Sequence, residues 1–91
     1  MLSHRRLLPS TSMLTAFDAV ARSGSFSAAA RELNLTPSAI SRQVGALESQ
    51  LNVALFKRVR KTVQITDAGK NYAQEVHSIL QAIRQASLSV M

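Results

Sequence analysis

The side chains best suited to contact a ligand lie on one face of a predicted helix within residues 35–51. At about 100° per residue, this face combines two hydroxyl groups, a guanidinium and a glycine, namely Ser38, Arg42, Gly45 and Ser49. The opposite face is an apolar stripe formed by Ile40, Val44, Leu47 and Leu51. A slim polar face of this kind can enter a DNA major groove and meet base edges and phosphates. The alternative interpretation is an ordinary amphipathic helix whose exposed side happens to be small.

The elements before this helix predict how it is positioned. Thr36 can cap it, and Pro37 suits the first helical position, where its missing N–H would have had no partner. Upstream, a first helix is predicted to end at Gly24 and a second at Asn34, since both residue types tolerate the left-handed conformation. Only a tight turn then separates the second and third helices. This arrangement is typical of a helix-turn-helix.

A cluster of positive charge follows the third helix. Four of the eleven Lys and Arg residues lie within five positions: Lys57, Arg58, Arg60 and Lys61. They surround a predicted turn at 60–62 between two short β-rich runs, and such a hairpin after a helix-turn-helix is a wing. Beside a helix that fits a major groove, the cluster is expected to clamp phosphates. As a solvated loop it needs no function.

Length and composition narrow the functional classes. Ninety-one residues suffice for one small domain, and the formal charge of +6 suits an anionic partner such as nucleic acid or a membrane surface. The apolar runs are too short for a membrane span or a signal peptide, and residues 1–9 are expected to form a basic tail. The lack of cysteine excludes disulfides and thiolate metal sites and fits the cytoplasm.

An enzyme is not expected. His4 lies in the predicted tail, His77 is expected to be a solvated helix residue, and the five acids are scattered. The sequence also has no glycine-rich phosphate loop. We therefore expect no catalytic residue, no metal and no cofactor.

The last segment predicts a long helix with an apolar seam. Thr66 can cap this helix, and Asp67 in its first turn complements the helix dipole. Apolar positions then recur in steps of four and three: Tyr72, Val76, Ile79, Ile83, Ala86 and Val90. We expect this helix to pack partly on its own domain and partly on a second copy of the chain. The alternative is that the whole seam folds back onto its own core.

Short motifs in a fixed order cover almost the whole chain from about Ser10 onward. They include Gly24-Ser25-Phe26, Ala28-Ala29-Ala30, Ala39-Ile40-Ser41-Arg42-Gln43, Ala46-Leu47-Glu48, Leu55-Phe56-Lys57-Arg58 and Ile65-Thr66-Asp67-Ala68-Gly69. In this combination the chain resembles the N-terminal DNA-binding domain of LysR-type transcriptional regulators. The resemblance implies a winged helix-turn-helix followed by a long linker helix that dimerises in antiparallel fashion.

The resemblance also assigns candidate DNA contacts. On the third helix they are Thr36, Pro37, Ser38, Ser41 and Arg42. Two more candidates follow this helix. Arg58 matches the basic residue after the Leu-Phe pair, and Lys61 stands at the wing position that usually carries arginine. Beside these, Arg60 is expected to insert into a minor groove, because a narrow A·T-rich groove attracts arginine in particular.

The chain departs from the family pattern at three positions. Pro37-Ser38 stands where many members have a Gln-Pro pair, and Gly45 stands where a larger polar or basic residue is common. Lys61 is a point charge and cannot reproduce the paired hydrogen bonds of an arginine. The family's larger C-terminal effector-binding domain is not expected within these residues. We therefore expect no small-molecule effector to bind this chain.

The sequence thus predicts a mainly α fold in three parts: a basic tail over 1–9, a winged helix-turn-helix over 10–65 with three helices and a short β-hairpin, and a dimerisation helix over 66–91. The predicted function is sequence-specific binding of double-stranded DNA by a bacterial transcriptional regulator. A homodimer would place helix 36–51 in the major groove and wing 57–62 on flanking phosphates, on a pseudo-palindromic site. The alternative is a protein-interaction module based on the C-terminal helix, with incidental charge.

Overall fold

Within residues 4–91, five helices and a two-stranded hairpin follow one another. The computed structural model describes residues 4–91, with side chains from Arg6 onward. The elements in order are α1 (His4–Leu7), α2 (Thr11–Ser23), α3 (Phe26–Leu33), α4 (Pro37–Leu51), β1 (Phe56–Val59), β2 (Thr62–Ile65) and α5 (Asp67–Val90). The predicted mainly α fold, with three helices, a hairpin and a long final helix, is confirmed.

The start of the chain corrects the prediction of a basic tail over 1–9. Residues 4–7 form α1, and hydrogen bonds join it to the end of α4. Arg6 Nε donates to the Gln50 carbonyl at 3.1 Å, and Gln50 Nε2 donates to the Arg6 carbonyl at 3.3 Å. A single helical turn has no apolar period of its own, so only this distant contact reveals it. The rest of the predicted tail before residue 4 lies outside the described residues.

Each longer helix begins at a hydroxyl side chain that accepts a backbone hydrogen bond three residues later. The caps are Ser10 for α2, Ser25 for α3, Thr36 for α4 and Thr66 for α5, with N···O distances of 3.0–3.2 Å. Helices α2, α3 and α4 end at left-handed residues, which are Gly24, Asn34 and Asn52. These local interactions set the short turn between α3 and α4, as predicted.

The core lies where α2, α4 and the first half of α5 meet. Its largest fully buried apolar side chains are Phe17, Val20, Ile40, Val44, Leu47, Leu55 and Val76. The Phe17 ring centroid lies 5.6 Å from that of Phe56 and 5.5 Å from that of Tyr72. Phe17 therefore joins α2 to both the wing and α5, and the apolar face of α4 is packed against this centre.

The wing is an antiparallel hairpin in which Phe56 pairs with Ile65 and Val59 with Thr62. The turn consists of residues 60 and 61 alone, whereas the sequence predicted a turn over 60–62. Arg60 adopts a left-handed φ of 59°, and the Thr62 hydroxyl donates to the Val59 carbonyl at 2.7 Å. Because Arg60 takes this conformation, Thr62 is free to join β2 and the turn is tighter than expected.

Helix α5 packs on the domain along its first half only. Gly69, Val76 and Leu80 are buried, whereas every residue from 81 to 91 is exposed. Val76, predicted to face a second chain, is only 1% exposed and belongs to the chain's own core, so this assignment was wrong. An apolar period locates the buried face of a helix but does not say which surface covers it.

Candidate nucleic-acid interface

The polar face of α4 is presented to solvent at its N-terminal end. Thr36, Pro37, Ser38 and Arg42 are exposed, and Ser41 is half-buried. The apolar stripe beneath them holds α4 in the core, so the first two turns stand clear of the rest of the domain. This is the face that the sequence predicted.

Arg58 brings the wing to this face of α4. Its Nη2 donates to the Ser41 hydroxyl at 2.5 Å, and its guanidinium carbon lies 4.5 Å from the centroid of the Phe26 ring. The hydrogen bond and the cation–π contact hold one edge and one face of the guanidinium. The remaining N–H groups are left for another acceptor, so Arg58 is oriented before any ligand arrives.

A shallow depression results from this arrangement. It is lined by Phe26, Pro37, Ser38, Ser41, Arg42 and Arg58. Five of these were predicted as contact residues, whereas Phe26 was not. Its packing against Phe56, with ring centroids 6.2 Å apart, orients its ring toward Arg58. Nothing in the local pattern distinguishes that arrangement from a fully buried phenylalanine.

The wing tip forms a second, separate group. Arg60 and Lys61 are exposed in the turn. Lys61 shares a smaller depression with the start of α3 and with β2, lined also by Gly24, Ser25, Phe26, Ser27, Thr62 and Val63. The structure therefore divides the predicted basic cluster, because Arg58 belongs to the α4 face and the turn residues do not.

Acidic side chains are turned away from these basic residues. Within residues 6–91, no carboxylate lies within ion-pair distance of Arg42, Arg58, Arg60 or Lys61. Glu48 points inward instead, where its Oε2 accepts from the backbone N–H groups of Leu55 and Phe56 at 2.8 and 3.2 Å. This carboxylate therefore ties the start of the wing to α4. The α4 face and the wing therefore keep their positive charge uncompensated, as an anionic partner requires.

A family profile described as "Bacterial regulatory helix-turn-helix protein, lysR family" matches residues 11–70. The chain belongs to the LysR family. Two relatives of this LysR-family chain are regulators of transcription. It is 43% identical over 76 residues to the uncharacterised HTH-type transcriptional regulator y4mQ of Sinorhizobium fredii, covering 84% of this chain and 26% of that protein. It is 46% identical over 71 residues to the regulator PunR of Escherichia coli K12, covering 78% of this chain and 23% of that protein.

The fold of the LysR-family chain is also that of a solved DNA complex. It superposes on the CbnR_DBD–DNA complex with a TM-score of 0.79 at 34% identity, covering 88% of this chain and 93% of that one. The predicted winged helix-turn-helix is therefore confirmed. The LysR-family chain spans about a quarter of the length of the two regulators named above.

Metal clusters and membrane-spanning helices are absent from the described part of the LysR-family chain. Over residues 4–91 no three His, Cys, Asp or Glu side chains are grouped to hold a metal ion. No helix within the same range is long and apolar enough to cross a membrane. His77, predicted to be simply solvated, is 46% exposed, but its Nδ1 lies 3.0 Å from Oδ1 of buried Asp18.

The seam predicted for dimerisation is exposed beyond the core. Ile79 and Ile83 are 51% and 45% exposed, and Ala86 and Val90 are also open to solvent. Tyr72 is half-buried against Phe17. It lines an apolar groove between α4 and α5, whose other lining residues are Leu51, Val53, Leu55, Ala68, Asn71, Gln74 and Glu75.

Proposed function

We propose that this LysR-family chain binds double-stranded DNA sequence-specifically and regulates transcription in the bacterial cytoplasm. Helix α4 enters the major groove, and the wing lies on the flanking minor groove and its phosphates. The observation that carries the proposal is the carboxylate-free face at the start of α4, completed by an oriented Arg58. The known DNA complex of a protein with the same fold adds support.

The dimensions of α4 suit the major groove. A helix with side chains is about 10–12 Å across, and the groove of B-DNA is about 12 Å wide. Gly45 lies on the outward face, and a Cβ built there would meet nothing within 4 Å, so the helix is slim at this point. Arg42 is long enough to reach the floor of the groove, where paired hydrogen bonds to guanine are the commonest specific contact. Ser38 and Ser41 contribute shorter-range hydrogen bonds.

Arg58 acts on the backbone of the DNA beside α4. Since Ser41 and Phe26 already hold its guanidinium, little side-chain freedom is lost when a phosphate accepts from the remaining N–H groups. A guanidinium and a phosphate make paired, charge-assisted hydrogen bonds. Arg58 thereby fixes the depth and register of α4 in the groove.

The wing tip has a different task from Arg58. Arg60 and Lys61 project at the turn, away from the α4 depression, so they reach the next groove. Arg60 inserts into a narrow minor groove, to which arginine is drawn by the local negative potential. Lys61 contacts a phosphate as a point charge and adds affinity without reading sequence.

A homodimer places two such domains on one pseudo-palindromic site. The exposed apolar seam on α5, which is Ile79, Ile83, Ala86 and Val90, is the surface that pairs. When two α5 helices run antiparallel with Ile79 near the two-fold axis, the end of one helix reaches the groove beside Tyr72 of the other. Closed two-fold symmetry then matches the symmetry of inverted half-sites.

The proposal is tested by selecting bound sequences from a random duplex pool and measuring affinity by fluorescence anisotropy at several salt concentrations. Arg42→Ala is expected to weaken operator binding by about 1–3 kcal/mol, with a smaller effect on random DNA. Arg84→Ala is the control, because it removes the same charge from the second half of α5, where Arg84 donates to Gln81 on its own helix and does not line the α4 depression. Equal losses in the two variants would contradict base reading by Arg42.

The salt series separates DNA binding from the alternative of a protein-interaction module. A DNA complex loses affinity steeply as salt rises, because bound protein cations release counterions from the phosphates. Association through apolar α5 helices does not weaken in this way. A chain that selects no sequence and shows no salt-dependent DNA binding would leave only the interaction module.

A further inference from the structure

A buried carboxylate links α5 to the helix-turn-helix. Asp18 lies in the middle of α2 at 2% exposure, and it is the only charged side chain that the described part of the chain buries. None of the groups assigned to DNA contacts it. Burying a charge is costly unless it is paired and hydrogen-bonded, so its partners indicate its role.

The partners of Asp18 come from two directions. Its Oδ2 accepts from Arg22 Nε at 3.0 Å, and its Oδ1 lies 3.0 Å from His77 Nδ1 on α5. Since an ionised carboxylate only accepts hydrogen bonds, Nδ1 of His77 carries the hydrogen in this pair. Arg22 uses its other two nitrogens to donate to Glu32 on α3. These donations lower the pKa of Glu32. Hydrogen bonds therefore link α5, α2 and α3 through this cluster.

The apolar contacts of α5 define the direction of this helix less sharply than the Asp18–His77 hydrogen bond does. Val76 and Leu80 bury apolar surface against the core, which favours contact but is not directional. The tightest approach is at the start of the helix, where a Cβ on Gly69 would lie 2.2 Å from the Leu55 carbonyl oxygen. Gly69 is therefore the natural pivot of α5. The Asp18–His77 hydrogen bond is the directional contact farther along the helix.

A small tilt about this pivot is large on the scale of DNA. From Gly69 to Gln85, α5 extends about 24 Å at its usual rise per residue. A tilt of about 10° moves Gln85 by about 4 Å, slightly more than the 3.4 Å step along each strand. The residues of α5 that remain exposed for a second copy, such as Ile79 and Ile83, lie on this moving part.

We infer that the Asp18–His77 hydrogen bond sets the angle between α5 and the recognition helix α4, and thereby the half-site spacing that the dimer accepts. The inference rests on the proposed function, because spacing has meaning only for a DNA-bound dimer. Asp18 and His77 are positioning residues in this scheme and do not touch the DNA.

The angle is measured first without DNA. The chain has no cysteine, so Ser27→Cys on α3 and Gln85→Cys on α5, both exposed, accept one spin label each. Excess unlabelled chain ensures that a dimer carries at most one labelled copy. We expect a narrow distribution of distances between the two labels in the chain that keeps His77. In His77→Ala this distribution should become broader or shift, by roughly 4 Å for a 10° tilt. His77→Asn restores the narrow distribution, since its amide can donate to Asp18, and Gln81→Ala on α5 is the matched control.

The spacing is measured next on DNA. Two inverted copies of the half-site selected by the wild-type chain are separated by spacers that differ one base pair at a time. The wild type and Gln81→Ala are expected to favour one spacing. In His77→Ala we expect this preference to fall by roughly tenfold, or to move by one base pair, with single half-site affinity unchanged. His77→Asn is expected to restore the wild-type spacing preference.

The outcomes distinguish this inference from the proposed function. His77 is half exposed, so its variants are expected to fold, and melting curves check this. If His77→Ala keeps the wild-type distances and spacing profile, or if His77→Asn fails to rescue them, the inference is wrong while DNA binding stands. If the wild-type chain binds no paired half-sites at all, the proposed function fails and the inference with it.

Discussion

Two glycines inside helices are expected to respond in opposite ways to the same substitution. Gly45 lies in α4, and a Cβ built there meets nothing within 4 Å. Gly69 lies in α5, and its Cβ would come within 2.2 Å of the Leu55 carbonyl oxygen and 2.7 Å of Ile65 Cγ1. Gly45→Ala therefore adds a methyl group to a helix where there is space for it, whereas Gly69→Ala adds one where there is none.

The magnitudes follow from two effects. Replacing glycine by alanine in a helix interior favours the folded state by about 0.5–1 kcal/mol. This is the whole effect at Gly45, so that variant should be more stable than the wild type. At Gly69 the clash is with backbone, which cannot rotate away, and overpacking costs about 1–3 kcal/mol. Subtracting the gain of about 0.5–1 kcal/mol from this cost leaves a net loss of up to about 2.5 kcal/mol at Gly69.

Urea unfolding followed by circular dichroism measures both changes. Protein concentration is held constant across the series, because association stabilises the folded chain by mass action. At roughly 4–8 °C per kcal/mol for a domain of this size, thermal unfolding should resolve the same ordering. If Gly69→Ala is as stable as Gly45→Ala, the Leu55–Gly69 contact is not tight, and Gly69 is not the pivot of α5.

Three further substitutions test the proposed DNA contacts and the dimer. Lys61→Ala should weaken operator and random DNA by similar factors and lower the log–log salt slope by about 2 for a dimer; loss of operator preference alone would mean that the wing tip reads sequence. Arg58→Lys keeps the charge but loses the planar guanidinium, so it should weaken DNA binding while leaving the salt slope unchanged, and wild-type affinity in this variant would contradict the proposed role of the oriented guanidinium. Ile79→Asp should give a monomer with weaker operator binding, and sedimentation showing the unaltered chain to be monomeric at micromolar concentration would refute the dimer.

Local interactions made much of the fold predictable. A cap involves a side chain and a backbone N–H three residues away, so Thr36 and Thr66 could be recognised without any knowledge of tertiary structure. The apolar stripe of α4 likewise depends only on helical period, and its residues Ile40, Val44 and Leu47 are buried as predicted.

Contacts between distant residues could not be predicted in this way. Arg58 and Ser41 are 17 positions apart, and His77 and Asp18 are 59 apart. Their residue types are common on any helix or wing, so the types carry no signal of pairing. The prediction that Val76 faces a second chain was wrong for a related reason, because the apolar period of α5 fits both an intramolecular and an intermolecular surface. The candidate site was thus predictable as a list of residues but not as a geometry.

The placement of the carboxylates explains how so small a domain keeps its α4 face and wing basic. Asp18 and Glu48 point inward, the first to α5 and the second to the start of the wing. Glu32 is held by Arg22 on α2. These carboxylates make directional contacts between elements that apolar packing alone leaves free to slide, and they are kept away from the α4 face. Holding the wing and α5 in position and presenting uncompensated cations to DNA are therefore consequences of one arrangement of charge.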